Sequence, residues 1–474
     1  MSAAAVCLAT MGAIVAFGTA VGFRAGARVR MDLEQWTVGG RGFGVVLVFL
    51  LMAGEVYTTF AFLGASGWAY SRGGPTLYVP AYLTLAYVVS FFILPQLWEL
   101  GRRHGMQTQA DFFAQRYGNR TLAALVCVVG LVCFVPYLVL QLAGVGIIVS
   151  VASYGEVGRT TAMTAAALLL VAFVFASGVR AVAWVSVVKD VLMVLAALAI
   201  GIGVPLRHFG GIGPMFAALA AAHPTHLTMP GATHNLGHAW YISTVMLTGL
   251  GFYMWPHTFG SVFTANSADT LRRNAVVMPL YTLTLAFVFF AGFAAVLIVP
   301  HLPDGDLAML TVVRQSFPPW FLGVVGGAGA LTAMVPAAIL ILAAASLFAK
   351  NLVRALLVPS MSDQSVARLA RAMVVVLGLV SLLLAVFSSS TLVALLLTGY
   401  AGVSQFFPGV LLGLYSRRVT GAAVLAGLAV GVATALTLML THHDPLCGVS
   451  AGFVALCLNF AVTLAAIPFT RKPT

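Results

Sequence analysis

The chain is a succession of apolar blocks, each about 20 residues long, joined by short polar connections. About 20 helical residues at roughly 1.5 Å per residue cover the hydrocarbon core of a bilayer. Lipid offers backbone polar groups no partner outside a helix or a closed barrel. The alternating strands that would mark a barrel are absent from the sequence, so the residues specify an all-α polytopic membrane protein. Read in order, the blocks place about thirteen spans near 3–23, 43–70, 76–98, 121–150, 160–177, 182–205, 238–264, 275–299, 319–348, 367–387, 390–415, 420–441 and 447–469. The first block has no basic residue before it and "RAGARVR" after it. That pattern reads as an uncleaved anchor with the N-terminus outside, not as a secretory signal.

The basic residues test this topology. Nineteen arginines and lysines fall inside and four, Arg72, Arg159, Arg207 and Arg314, fall outside, a positive-inside bias that one miscounted span would scramble. With 61% hydrophobic and 8% charged residues, the net charge of +12 reports topology and contact with anionic lipid headgroups, not a nucleic-acid surface. Cys7, Cys127, Cys133, Cys447 and Cys457 show no metal spacing and read as small buried apolar residues. His223, His226, His234, His238 and the "HHD" at 442–444 lie in or beside outside loops, where ordinary polar loop residues are the commoner reading and a metal site the weaker one.

Glu55, Lys189 and Asp190 are the formally charged residues well inside spans, with His257 a titratable fourth. Facing lipid, each would cost at least about 2.5–3.5 kcal/mol, so each must face the bundle interior or water. They are functional candidates, the alternative being a buried Glu–Lys pair that only fixes packing. Asp190 follows Lys189 directly and so points about 100° away on a helix, which makes it the weaker candidate for the same cavity. Helix-breaking residues mark the same depth. The second span carries Gly54, Gly64 and Gly67 around Tyr57, Thr58 and Thr59, and the seventh carries "TGLGFYMWPHTFGS" with Gly249, Gly251, Pro256 and Gly260. Paired broken helices five spans apart point to two five-helix inverted repeats with a substrate bound between them, although glycines also serve close helix packing.

Several runs carry a resemblance: "DLEQWTVGGRG", "FLGASGWAYSRG", "GMQTQADFFAQRYGNR", "GVRAVAWVSVVKDVLM" and "YAGVSQFFPGVLLGLYSRRVTGAAVLAGL". In order and content they resemble the sodium/solute symporter family over nearly the full length. The resemblance implies a single transport domain over 1–474 in the inner membrane, N-terminus outside and C-terminus cytoplasmic. Its LeuT-type core would comprise repeats at 43–205 and 238–415, with an extra helix at 3–23 and two more at 420–469. Within the family, "GLGFYMWPHTFGSVFTANSADTLRRN" and "YLVLQLAGVGIIV" look most similar to the bacterial monocarboxylate permease branch, which carries small acids such as pyruvate and lactate and in some cases alanine. Such an anion would be held by half-helix N-termini and by His257, Tyr253, Tyr57, Thr58 or Thr59. Gln141 and Gln405 are the remaining polar groups at depth. The family uses the position of Gln405 near substrate, whereas Gln141 equally suits a bond to a neighbouring helix.

The departures from the family pattern bear on coupling. In sodium-coupled members a sodium ion sits between carbonyls of the first core helix and a carbonyl plus two serine hydroxyls of the eighth. Laid on that pattern, "LTAMVPAAILILAAASLFAKNL" puts Thr332 at the carbonyl position and Val335-Pro336 where the serines belong, with Gly54 and Tyr57 as the facing carbonyl donors. Valine and proline side chains have no oxygen, so a sodium ion would lose two of about five ligands. The family's aspartate after a tryptophan is also missing, since Val185-Ser186 follow Trp184. Instead Glu55 follows Gly54, and Lys189 lies one turn after Ser186. Some sodium-independent relatives of this architecture place a lysine amine where sodium would sit. The expectation is a Glu55/Lys189 titratable pair, proton coupling or no coupling ion, and no cofactor. A sodium-coupled symporter of another small solute stays open as the alternative. A transporter-like sensor is less favoured, because the chain is expected to end at "FTRKPT" without a signalling domain. An intramembrane enzyme would need a nucleophile–base pair or a motif such as HExxH, and the sequence has neither. The sequence leaves the oligomeric state open.

Overall fold

The computed structural model describes residues 1–26, 39–176 and 179–470. Arg28, Arg30, Arg471, Lys472 and most of the "DLEQWTVGGRG" run lie outside the described residues. Among those described, the regular secondary structure is helical, with two isolated bridges, Phe43 with Ala265 and Leu446 with Val449. In chain order the helices are α1 (Ala3–Gly26), α2 (Val45–Val56), α3 (Phe60–Ser71), α4 (Tyr78–His104), α5 (Gln109–Tyr117), α6 (Arg120–Ala152), α7 (Arg159–Ala176) and α8 (Val179–Phe209). They continue as α9 (Ile212–Ala222), α10 (His238–Gly251), α11 (Pro256–Ser261), α12 (Ala268–Thr282), α13 (Leu285–Ile298) and α14 (Ala308–Ser316). The last are α15 (Pro319–Ser346), α16 (Asp363–Phe387), α17 (Leu392–Val403), α18 (Phe407–Tyr415), α19 (Gly421–Leu440) and α20 (Ala451–Thr470).

Among the described residues, ten helical stretches are long and apolar enough to cross a bilayer, or eleven if the bent pair α2–α3 is one span. The expected count of thirteen is not reached by this measure, and two segments account for the difference. Helix α7 is a shorter apolar helix. The segment 238–264 is divided among α10, a tight turn and the six-residue α11, because Pro256 offers no N–H to continue the hydrogen-bond ladder.

Helix α15 is the central post, with 89% of its apolar window buried, against 28% for α1, α16 and α20 at the lipid boundary. Small residues let α1 press against it. A Cβ at Gly323 would stand 2.6 Å from the Cys7 carbonyl oxygen, and one at Gly327 2.9 Å from Ile14. Cys7, Cys127 and Cys133 are buried, but Cys447 and Cys457 are exposed, which corrects the expectation for those two. Cys447 lies on the connection between α19 and α20, and Cys457 on a helix whose outer side has no protein neighbour.

Two buried aspartates latch connections around the bundle, one of them at the end of this post. Thr108 and Asp111 form a capping box at the start of α5. The Asp111 carboxylate also accepts from the Gln107 N–H (2.8 Å), Asn351 Nδ2 (2.7 Å) and Lys350 Nζ (2.7 Å), the last two on the wider turns that continue α15 over Leu347–Leu357. Burial alone would raise the Asp111 carboxyl, but the Lys350 charge and these donors outweigh it and hold the group below the usual carboxylate range. Away from α15, on the loop before α14, Asp306 is buried and accepts the Leu392 N–H at the start of α17 (3.0 Å). A Cβ at Gly67 would come within 2.7 Å of Asp306 Oδ1, so α3 meets this loop backbone to carboxylate. Burial pushes Asp306 up to about 6, opposed by the Leu392 N–H, raised further by Asp304 and opposed again by Arg159.

Two predictions follow from these latches. Asp111→Ala strips the charge partner from half-buried Lys350 and is expected to cost about 3 kcal/mol, measured as a lower thermal unfolding midpoint in detergent. The native latch weakens with acid, as pH falls through the depressed range of Asp111. Asp306 has the opposite sign. Its packed form keeps the proton up to about pH 6, whereas a released aspartate gives it up near pH 4, so its contribution favours the packed loop below about pH 4 and is lost as pH rises to 6. Hydrogen exchange over 299–307, corrected for intrinsic rate, is expected to show an opening equilibrium about tenfold larger at pH 7 than at pH 5, a difference that Asp306→Asn abolishes.

Candidate functional site

Helix α2 stops because Tyr57 leaves helical geometry (φ −85°, ψ 90°), and the chain turns by 53° before α3 begins. In a continuous helix the Gly54 carbonyl would accept from the Thr58 N–H, but that N–H turns to the Val56 oxygen instead (3.2 Å). The break thus frees carbonyl oxygens at membrane depth, where an unmade hydrogen bond is costly. Lys189 on α8 meets that need. Its Nζ donates to the Gly54 and Tyr57 oxygens, each at 3.0 Å, and lies 2.8 Å from Asp190 Oδ1. Three donors meet three acceptors, and both Lys189 and Asp190 are buried. Asp190 Oδ1 also accepts from the Tyr281 hydroxyl (3.0 Å), and the Tyr57 hydroxyl bonds Thr284. A Cβ at Gly54 would stand 3.0 Å from Ser186 Oγ and 3.5 Å from Lys189 Nζ, so glycine lets the ammonium reach the backbone.

The second break follows α10, where a tight turn over Phe252–Met254 leads to extended Trp255 and then to Pro256, the first residue of α11. Here side chains satisfy the freed carbonyls. Thr258 Oγ1 donates to the Phe252 and Trp255 oxygens (3.0 and 2.9 Å), and Gln109 Nε2 donates to the Met254 oxygen (2.8 Å). One bond joins the two breaks, from Ser261 Oγ on α11 to Glu55 Oε1 on α2 (2.8 Å). The His257 ring lies among Phe134, Tyr137 and Trp255, with centroids at 5.6, 5.7 and 5.9 Å. Among the described residues, Thr58 Oγ1, Tyr253 OH, Trp255 Nε1 and His257 Nδ1 are buried and make no hydrogen bond of normal geometry, although Thr58 faces Tyr137, Tyr253 faces Ser90 and Trp255 faces Tyr400. A narrow cavity of about 40 Å³ runs from Gln107 and Thr108 past His257, Gly260 and Ser261. It has room for about one water.

Several expectations are corrected by this arrangement. Asp190 is not turned away from Lys189. The two Cβ atoms diverge, but the long lysine stem swings its ammonium back to the neighbouring carboxylate. Glu55 and Lys189 form no ion pair among the described residues, since Glu55 takes the Ser261 hydroxyl. Gln405 turns from the breaks: its Nε2 donates to the Ala401 and Gly452 oxygens (3.0 and 3.2 Å) and its Oε1 accepts from Asn459 (3.3 Å) on α20. Gln141 Oε1 accepts from Thr59 Oγ1 (2.7 Å), which ties the base of α3 to α6, and its Nε2 has no partner. Thr332, Val335 and Pro336 are buried in α15, and Thr332 Oγ1 lacks a partner. Asp190 was the weaker candidate, and Ser261, Tyr281 and Thr284 were not among the expected site residues. In sequence the only signal of Ser261, Tyr281 and Thr284 is a polar group within or beside an apolar block.

A family model described as "Sodium:solute symporter family" matches residues 36–431. The uncharacterized symporter YhjB of Bacillus subtilis is 44% identical over 465 residues, covering 95% of this chain and 94% of that protein. A monocarboxylate transport permease protein of Rhizobium johnstonii is 28% identical over 401 residues, covering 84% and 81%. Among solved structures, a Na+-coupled sialic acid symporter in a substrate-bound outward-open state aligns with a TM-score of 0.83 at 14% identity, over 99% of both chains. At that identity the likeness concerns the fold.

Removing one partner of the buried pair leaves the other charged and unmatched. Lys189→Met is therefore expected to cost about 3–5 kcal/mol, and Lys189→Met with Asp190→Asn clearly less than the sum of the two single changes. Unfolding midpoints for the four members of this cycle give the coupling energy directly.

Proposed function

The chain belongs to the sodium:solute symporter family, a family of multi-pass secondary transporters of small solutes, and from that premise we propose that it carries a short monocarboxylate, such as pyruvate or lactate, without sodium. The observation that carries the coupling half of this reading is the Lys189 ammonium, 3.0 Å from the Gly54 and Tyr57 oxygens. By family resemblance those are the carbonyls a sodium ion would use. A tethered ammonium there, with Val335 and Pro336 offering no oxygen opposite, leaves sodium neither room nor a ligand set. Coupling then falls to the proton, with Glu55, whose carboxylate meets Ser261 beside the narrow cavity, as the acid at the break. The first repeat is read as 43–205 and the second as 238–415, in the inner membrane with the N-terminus outside and the C-terminus cytoplasmic.

The solute half rests on chemistry at the breaks. Among the described residues the hydroxyls of Thr58 and Tyr253, the Trp255 indole N–H and His257 Nδ1 make no hydrogen bond of normal geometry, and α11 presents its N-terminal end at Pro256 beside them. Such a set of neutral donors suits a carboxylate head, and the surrounding aromatic rings suit a short apolar tail. The monocarboxylate transport permease relative supports the same class of solute.

Uptake of radiolabelled pyruvate and lactate into proteoliposomes tests both halves, with inward proton and sodium gradients imposed separately. Accumulation is expected under the proton gradient in sodium-free buffer, at least several-fold above the no-gradient level, with no added effect of sodium. Accumulation that requires sodium would overturn the coupling reading. Failure of both acids to enter under any gradient would overturn the solute reading.

A further inference from the structure

Beyond the breaks, at the end of the bundle read as external, a polar cavity of about 560 Å³ opens between α3, α6, α7, the 303–306 loop and the start of α17. Four charged groups line it: Arg72 after α3, Arg159 at the start of α7, and Asp304 and Asp306 on the loop. The walls from α6, α16 and α17 add no charge. Three of the four are committed. Arg159 pairs with Asp304 at 3.3 Å, and Asp306 accepts the Leu392 N–H.

Arg72 is not committed. Among the described residues its side chain makes no hydrogen bond and no ion pair, and its Nε is buried without a partner. The guanidinium instead lies 6.0 Å from the centroid of the Trp68 ring. Its backbone, by contrast, is fixed. The Arg72 N–H donates to the Trp68 oxygen (2.7 Å), and the Arg72 oxygen accepts from the Ala232 N–H (3.0 Å). A guanidinium on a rigid anchor, with its fork of donors unspent at the wall of an open polar cavity, is a receptor for a carboxylate. Helix α3 separates Arg72 from Thr59 at the first break by about 20 Å of rise, so this position is distinct from the breaks.

We propose that this vestibule is a capture site for a small monoanionic carboxylate, with Arg72 as its ion-pairing residue, upstream of the site at the breaks. The proposal rests on the reading of the solute as a short carboxylate. Capture raises the local concentration of the anion above the breaks, so it acts on apparent affinity and on salt dependence, not on the turnover of the loaded transporter.

The test is initial-rate uptake of pyruvate and lactate into proteoliposomes by the full chain, Arg72→Gln and Arg72→Lys, at low and high ionic strength, with unfolding midpoints as the control for folding. Expected results are a KM raised about five- to tenfold in Arg72→Gln with kcat within about twofold, loss of the salt dependence seen in the wild type, and partial recovery in Arg72→Lys. An Arg72→Gln variant that keeps both the KM and its salt dependence overturns the capture site alone, as does one that loses kcat at unchanged KM. A wild type that carries neither acid overturns the solute reading, and the capture site with it.

Discussion

The bond set around the Lys189 ammonium is the constraint on which the rest of the site depends. A helix that breaks at membrane depth exposes carbonyl oxygens that lipid cannot satisfy, and the break persists only if something cationic or protic fills the gap. Here the filler is part of the chain. Its three donors find the Gly54 and Tyr57 oxygens and Asp190, and Asp190 returns the charge balance that burial demands. A resident ammonium differs from a bound ion in one mechanistic respect: it is covalently tethered and does not dissociate. It can hold the bend between α2 and α3, but it cannot drive transport by running down its own gradient.

Around this fixed point the scaffold divides into parts that are locked and parts that are joined by single contacts. Helix α15 is nearly enclosed; Asp111 ties the turns that continue it to the start of α5 through Lys350 and Asn351, and Asp306 ties the 303–306 loop to the start of α17 through the Leu392 N–H. Among the described residues the two breaks, by contrast, share one side-chain bond, Ser261 to Glu55, and the base of α3 holds α6 through Thr59 and Gln141. Short half-helices joined by few polar contacts, set against a rigid post, are the parts that hinge motions recruit. Asp111 and Asp306 also titrate in opposite senses, so acid loosens one latch and tightens the other.

Much of this was legible in the sequence because lipid makes simple rules strict. Apolar blocks had to be helices, and Gly54, Tyr57 and Lys189 stood out because glycine and charge are costly there without a purpose. The failures have equally physical causes. The angular rule that turned Asp190 from Lys189 describes where Cβ atoms point, and a four-carbon stem is long enough to defeat it. Whether Glu55 touches Lys189 was open in the sequence; among the described residues its hydrogen-bond partner is a serine 206 residues away, and no local pattern encodes that. Lys350 lies 239 residues from Asp111, so the first latch is likewise a product of tertiary packing alone. Gln405 sits in a motif that the family places near substrate, and its bond from Asn459 of α20 is another contact that no local pattern encodes.

The most direct test of a resident ammonium at the cation position is the thermal unfolding midpoint of the purified protein, titrated with sodium chloride against choline chloride at matched ionic strength. A ligand that binds only the folded state raises stability with its concentration. If Lys189 fills the position, sodium and choline give the same midpoint throughout, and Lys189→Ala is the variant in which a sodium-specific rise could emerge. A saturable, sodium-specific rise in the wild type would contradict the assignment of Lys189 to that place.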